Sequence, residues 1–177
     1  MSNVFPLIGN YRVSSGYGLR NINVPGASKD HKGVDLAAAQ GTNVVSAIAG
    51  KVIFTGYNKD RGNYIKVDDG KGTVTLYQHL NSINTTVGQA VRAGDKIGTV
   101  GNTGTGSGSH LHFEVIKNGK NVDPLAWLNG SNKLSAPLST GTSETLATSG
   151  NSELSDLIKS NWLIIAAGLL IIAILTK

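Results

Sequence analysis

The sequence predicts an all-β domain, a sandwich or barrel of short strands, followed by a polar linker and a hydrophobic C-terminal helix. Three observations predict it. Across residues 1–130, short runs rich in Val, Ile, Thr and Tyr are separated by Gly or by Asn/Asp clusters such as "DDGKG", the punctuation of strands and turns. No stretch there carries a sustained i, i+3, i+4, i+7 apolar pattern between helix caps, which argues against a parallel sheet wrapped in helices. Residues 162–175, "WLIIAAGLLIIAIL", hold no charged residue.

Taken in order, "NYRVSS" (10–15), "NVVSAI" (43–48), "KVIFTGY" (51–57), "NYIKVDD" (63–69), "TVTLYQHL" (73–80), "DKIGTV" (95–100) and "HLHFEVI" (110–116) read as strands. The glycine-rich "GTVGNTGTGSGS" (98–109) lacks the Gly-Lys-Ser/Thr of a phosphate loop and runs into a strand, not a helix, so nucleotide binding is not expected. A hairpin or wide loop is expected there, because glycines remove the Cβ that would block a close backbone. "DPLAWL" (123–128) is expected to open a short helix, with Asp123 as N-cap and Pro124 at the first helical position.

Residues 131–156 are mostly Ser, Thr, Gly, Ala and Asn, cannot bury enough apolar surface to fold, and read as a linker. Residues 157–177 are expected to anchor the chain in a membrane. Their fourteen-residue apolar run would span about 21 Å as a helix, short of the ~30 Å hydrocarbon core. Trp162 and Lys177 at its ends suit an interface anchor and a snorkelling cation, which lengthen the span.

The formal charge of +5 resides in residues 1–130, where 13 Lys+Arg stand against 8 Asp+Glu, the remainder balancing at three each. No Lys/Arg block interleaved with aromatics appears, so no nucleic-acid partner is expected. With no cysteine, disulfides and thiolate metal sites are excluded. The start, "MSNVFPLIGNYRVSSG", shows no basic region leading into an apolar stretch, and no secretory signal is expected.

The four histidines carry the chemistry. In "HLHFEV", alternation puts His110, His112 and Glu114 on one strand face and Leu111, Phe113 and Val115 on the other. Neighbours on one face lie about 6.5–7 Å apart, so one can bind a metal while the next reaches over its open position. In "HKGVD", a straight strand would hold the Cα atoms of His31 and Asp35 ~13 Å apart, and a turn at Gly33 is the expected way to bring them together. His79 ends a strand whose alternation groups it with Thr75 and Tyr77. Together these residues have the composition of a catalytic zinc site, three N/O ligands with spare bases beside them.

The run "SSGYGLR…HKGVDLAAAQGTNVVSAIAGKVIFTGY…GNYIKVDDGKGTVTLYQHL…VGQAVRAGDKIGTVGNTGTGSGSHLHFEV" resembles the lysostaphin-like (LytM-type) zinc endopeptidases that cut peptidoglycan peptides, over roughly residues 12–128. The resemblance implies a twisted antiparallel β core with a groove over the metal. It implies one Zn2+ per chain held by His31, Asp35 and His112, with His79 and His110 as the catalytic pair. Glu114 is expected to orient a ligand imidazole or to face solvent. Ala39 and Ser109 stand where the family's pattern has proline, and Gln78 where it has a small residue.

The expected function is therefore hydrolysis of peptide bonds in bacterial peptidoglycan by a membrane-tethered zinc endopeptidase. A wall hydrolase with a C-terminal anchor suits a bacteriophage virion with a membrane, used in wall penetration or lysis; the alternative location is a bacterial cell envelope. The competing function classes are a non-catalytic wall-binding module on the same fold and a structural membrane or virion protein.

Overall fold

The computed structural model describes residues 3–20, 28–106 and 108–131. The expected linker and hydrophobic anchor fall outside these residues, apart from Ser131. Among the described residues, no helix is long and apolar enough to cross a membrane.

In chain order the strands are β1 (Leu7–Ile8), β2 (Arg12–Ser15), β3 (Gly18–Leu19), β4 (Asp30–His31), β5 (Val34–Ala37), β6 (Asn43–Val45) and β7 (Gly50–Asn58). They continue with β8 (Gly62–Asp68), β9 (Thr73–Ile83), β10 (Ala90–Val91), β11 (Lys96–Val100), β12 (His110–Lys117) and β13 (Lys120–Val122), before the helix α1 (Pro124–Ser131). Every strand pairing among the described residues is antiparallel. Eleven strands form one sheet with the path β1-β6-β11-β9-β12-β5-β2, and β3 pairs with β4 apart from it. The sheet curls as a half-barrel, so the sandwich alternative gives way to a single bent sheet. All seven expected strands are present, although "NVVSAI" keeps its ladder only to Val45. Strands β1, β3, β4, β5, β10 and β13 were not expected: five are two or three residues long, too short to show a period.

The core explains the register. Leu111, Phe113 and Val115 of β12 are fully buried, with Val34 and Leu36 of β5 beside them and Tyr77 and Leu80 of β9 beyond. A side chain of this size contributes about 1.5–3 kcal/mol when buried. A one-residue slip of β12 would exchange those three for His110, His112 and Glu114, so the register is strongly specified. In that register His112 stands opposite Asp35 on β5 and opposite Gln78 on β9, one row across three adjacent strands.

Strand β9 does not keep its alternation. Up to Gln78 it pairs with β12, and from Leu80 it pairs with β11. Against β8, a step of two (Asn63 to Ile65) faces a step of three (Leu80 to Tyr77), so β9 carries one extra residue, which marks a bulge. His79 lies in it with φ +62°, and its N–H donates to the Arg61 carbonyl at 2.8 Å. The expected grouping of Thr75, Tyr77 and His79 is thereby corrected. Thr75 and Tyr77 point into the core, the Tyr77 hydroxyl hydrogen-bonding Thr75 and the Ala47 N–H, while the bulge turns His79 toward the other histidines.

The helix α1 starts as the sequence indicates. The Asp123 carboxylate accepts from the Leu125 and Ala126 N–H groups at 2.9 and 3.4 Å, and Leu128 is buried against the core.

Candidate active site

The site is built on β5, β12 and β9, with His31 carried in by β4. Gly33 makes that approach possible: a Cβ there would lie 2.3 Å from the Phe113 carbonyl oxygen and 2.9 Å from His112 Nε2. With glycine in place, the chain turns between His31 and Asp35 close against β12.

Three donor atoms converge. His112 Nδ1 lies 2.8 Å from Asp35 Oδ1, and His31 Nε2 lies 3.1 Å from both. A tetrahedral metal with bonds near 2 Å sets its ligands about 3.3 Å apart, so the spacing fits one small divalent cation.

The tautomers fit as well. His31 Nδ1 donates to the Gly16 carbonyl, leaving Nε2 bare, and His112 Nε2 donates to Glu114 Oε1 at 3.2 Å, leaving Nδ1 bare. Asp35 Oδ2 pairs with Arg20 Nη1 at 3.4 Å, which leaves Oδ1 as the inward-facing oxygen. Two lone pairs and a carboxylate oxygen thus meet in one spot, an arrangement a cation relieves. Without a cation the imidazoles can instead take up protons on those facing nitrogens and donate to Asp35. Burial by itself would raise the Asp35 carboxyl, yet these hydrogen bonds from His112 and His31 outweigh it and hold it far below the usual carboxylate range.

Behind these donors stands a buried polar network. Glu114 is buried and accepts from His112, from Gln78 Nε2 and from Asn121 Nδ2, and Asn121 also donates to the Lys32 carbonyl at 3.1 Å. Of the two expectations for Glu114, solvent exposure does not hold: it is buried and hydrogen-bonded to the His112 imidazole. Burial favours its neutral form, but these donors keep the carboxyl below its ordinary value. Gln78, unusual for the resemblance, is the residue that reaches Glu114.

The rings of His79 and His110 lie side by side, tilted 40° with centroids 4.6 Å apart, and His110 Nε2 is 4.0 Å from Asp35 Oδ1. Both take their orientation from the glycine-rich loop. His79 Nδ1 donates to the Thr103 carbonyl and His110 Nδ1 to the Gly108 carbonyl, each at 2.8 Å. A carbonyl only accepts, so each neutral ring carries its hydrogen on Nδ1 and presents a bare Nε2. Burial, with the neighbouring imidazoles adding to it, pushes His79 down to about 4 from its usual 6.5. At neutral pH it is an uncharged acceptor.

All five expected site residues therefore lie together. Sequence reasoning did not assign roles to Arg20, Gln78, Asn121 or the carbonyls of Thr103 and Gly108. Arg20 is the end of the quoted "SSGYGLR", but a single arginine carries no periodic signal, and a backbone carbonyl carries none at all.

Comparison with known proteins agrees with this geometry. The model of Peptidase family M23 matches residues 29–124. The DD-carboxypeptidase/endopeptidase Mpg of Neisseria meningitidis serogroup B is 38% identical over 124 residues, covering 70% of this chain and 28% of that protein. The peptidoglycan DD-endopeptidase ShyC of Vibrio cholerae is 38% identical over 114 residues, covering 64% of this chain and 26% of that one. The chain thus spans less than a third of the length of these two curated relatives. Among solved structures, the catalytic domain of the antimicrobial peptidase lysostaphin from Staphylococcus simulans superposes with a TM-score of 0.61 at 33% identity, covering 67% of this chain and 92% of that domain. A zinc-containing peptidase from Vibrio cholerae superposes at 0.64 with 34% identity, covering 77% and 40%. By the family model and by these likenesses together, the chain belongs to Peptidase family M23, the LytM-type peptidases.

Proposed function

We propose that this chain is a zinc-dependent endopeptidase that hydrolyses peptide bonds of bacterial peptidoglycan. The observation that supports it most is the convergence of His31 Nε2, Asp35 Oδ1 and His112 Nδ1 within 3.1 Å, with two further imidazoles beside them. Those three atoms would hold one Zn2+, and two neutral imidazoles with one carboxylate would leave a single positive charge on the site. When bound, zinc makes water acidic enough to attack near neutral pH and polarises the scissile carbonyl.

The chain's own groups do the rest. His79 and His110 present bare Nε2 atoms, so both enter as acceptors for the attacking water's proton. Once protonated there, the same atom donates to the oxyanion and then to the leaving amine. The Thr103 and Gly108 carbonyls keep the opposite edge of each ring engaged, so proton exchange takes place only toward the site. Arg20 and Glu114 hold Asp35 and His112 in their ligating orientations.

The reading extends to the tail, where it rests on sequence: residues 131–156 act as a tether and residues 157–177 as a membrane anchor, in a phage virion or a bacterial envelope. Deleting 157–177 should release the protein from lipid vesicles and leave hydrolysis in solution intact.

The deciding experiment is mass analysis of fragments released from purified peptidoglycan. Zinc-loaded protein is expected to open one class of peptide bond, a chelator to stop release, and added zinc to restore it. Folded, zinc-loaded protein that binds the wall and releases nothing would establish the non-catalytic module instead.

A further inference from the structure

We infer that Arg12 reads a carboxylate on the substrate peptide, two or three residues from the bond that is cut; the inference rests on the endopeptidase reading and names a specificity-determining residue for it. A cleft of about 330 Å³ adjoins the candidate metal ligands and is lined by Arg12, Ser14, Asp35, Ala37, Ser109 and His110. Strand register sets its length. Arg12 stands opposite Ala37 on β5, and Ala37 stands opposite His110 on β12, so the three share one row across three strands. Two strand spacings put the backbones of Arg12 and His110 ~10 Å apart, about three residues of extended peptide. Ala37, with only a methyl group, makes a low floor between them.

The ends of this row differ in chemistry. At one end is His110, beside the reacting position. At the other is a guanidinium that, among the described residues, has no hydrogen bond or ion pair. The contrast with Arg20 is informative: Arg20 is engaged by Ser15, Ser28 and Asp35. Arg12 also lines a cleft that contains a carboxylate, that of Asp35, and yet does not pair with it, because Arg20 does. An exposed arginine on an edge strand, lining the same cleft as His110, is placed to take a planar anion, and guanidinium binds carboxylate through two parallel hydrogen bonds. The partner argued for is therefore a carboxylate of the peptide itself, a free α-carboxyl or an acidic side chain.

The test uses zinc-loaded full-length protein and matched peptides that differ in one group near the cleaved bond, a free carboxylate or its carboxamide. Wild type is expected to prefer the free acid by about ten-fold in kcat/KM, carried by KM. Arg12→Gln is expected to collapse that preference to near one, Arg12→Lys to keep part of it, and Arg12→Glu to reverse it. Arg92→Gln, which removes an exposed cation from the turn after β10, is expected to keep it. A preference that survives in Arg12→Gln, or is absent from wild type, overturns the assignment. Calorimetric binding of the same two peptides separates the two readings. Carboxylate-selective binding that needs Arg12 without any cleavage overturns the hydrolase and upholds the subsite, whereas cleavage blind to the carboxylate does the reverse.

Discussion

His79 and Thr103 are joined by a 2.8 Å hydrogen bond from the ring Nδ1 to the backbone carbonyl, and this bond fixes both the tautomer and the aim of a residue whose own backbone is strained. A non-glycine residue at φ +62° is uncommon and is sustained only by what surrounds it. The bulge of β9 and the glycine-rich loop therefore act as one unit.

Gly62 is where that unit is most tightly packed. A Cβ there would lie 2.3 Å from the Thr103 carbonyl oxygen, at φ +63°. Gly62→Ala is expected to destabilise the fold by about 2–4 kcal/mol, from left-handed strain plus overpacking, and to lower kcat by displacing the His79 acceptor. Gly70→Ala, at φ +68° with open space around it, carries only the strain. Thermal melts and kinetics of the two variants check this; equal effects would dissociate the loop from His79.

Removing the side chains of the pair should leave the ligands intact. His79→Ala and His110→Ala are each expected to reduce kcat about 10²–10⁴-fold with zinc affinity close to wild type. Single-turnover peptide cleavage alongside zinc titration distinguishes this from loss of the metal, which would show as a parallel fall in both.

The ligand set predicts a stability signature. Zinc at a hundred times its Kd should stabilise the folded state by ~2.7 kcal/mol, visible as a concentration-dependent rise in Tm. His112→Ala and Asp35→Asn should abolish the rise. A rise that persists in both variants would place the metal elsewhere.

Glu114 carries its effect through His112 Nε2. Glu114→Ala is expected to weaken zinc binding about 10–100-fold, and Glu114→Gln less, because an amide oxygen still accepts that hydrogen. Zinc titration by competition with a chromophoric chelator measures both.

The low pKa of His79 has a defined sign in stability. The unfolded ring titrates near 6.5 and the folded one near 4, so between those values the unfolded state binds more protons. The stability that the neutral, buried ring provides is complete above 6.5 and is lost as pH falls toward 4. Ion-free His79→Gln should show a shallower fall of denaturation midpoint across that window than wild type. Activity in acid should fail earlier than this, since, against burial, Asp35 and Glu114 raise His112 above its usual value, and that ring must shed its proton to bind metal.

Much of this was legible before any coordinates. Leu111, Phe113 and Val115 alternate with His110, His112 and Glu114, and a burial pattern of period two is the signal strands impose. The turn at Gly33 followed from the need to close a 13 Å gap. His79 was grouped wrongly because one extra residue in a strand inverts alternation from that point on, and nothing in "TVTLYQHL" marks the insertion. The roles of Arg20, Asn121 and Gln78 stayed hidden for a different reason: each acts through partners 7 to 36 residues distant in the chain, a relation that exists only once the strands are in register.

The row from Arg12 through Ala37 to His110 also separates two kinds of evolutionary freedom. The candidate site residues of β5, β12 and β9 are seated mid-sheet, where each strand is paired on both sides and tolerates little drift. Arg12 sits on a border strand whose outer edge has no strand partner among the described residues. Given the proposed subsite, appetite for one wall chemistry or another would be retuned at the margin of the sheet while the proposed cutting apparatus stays as it is.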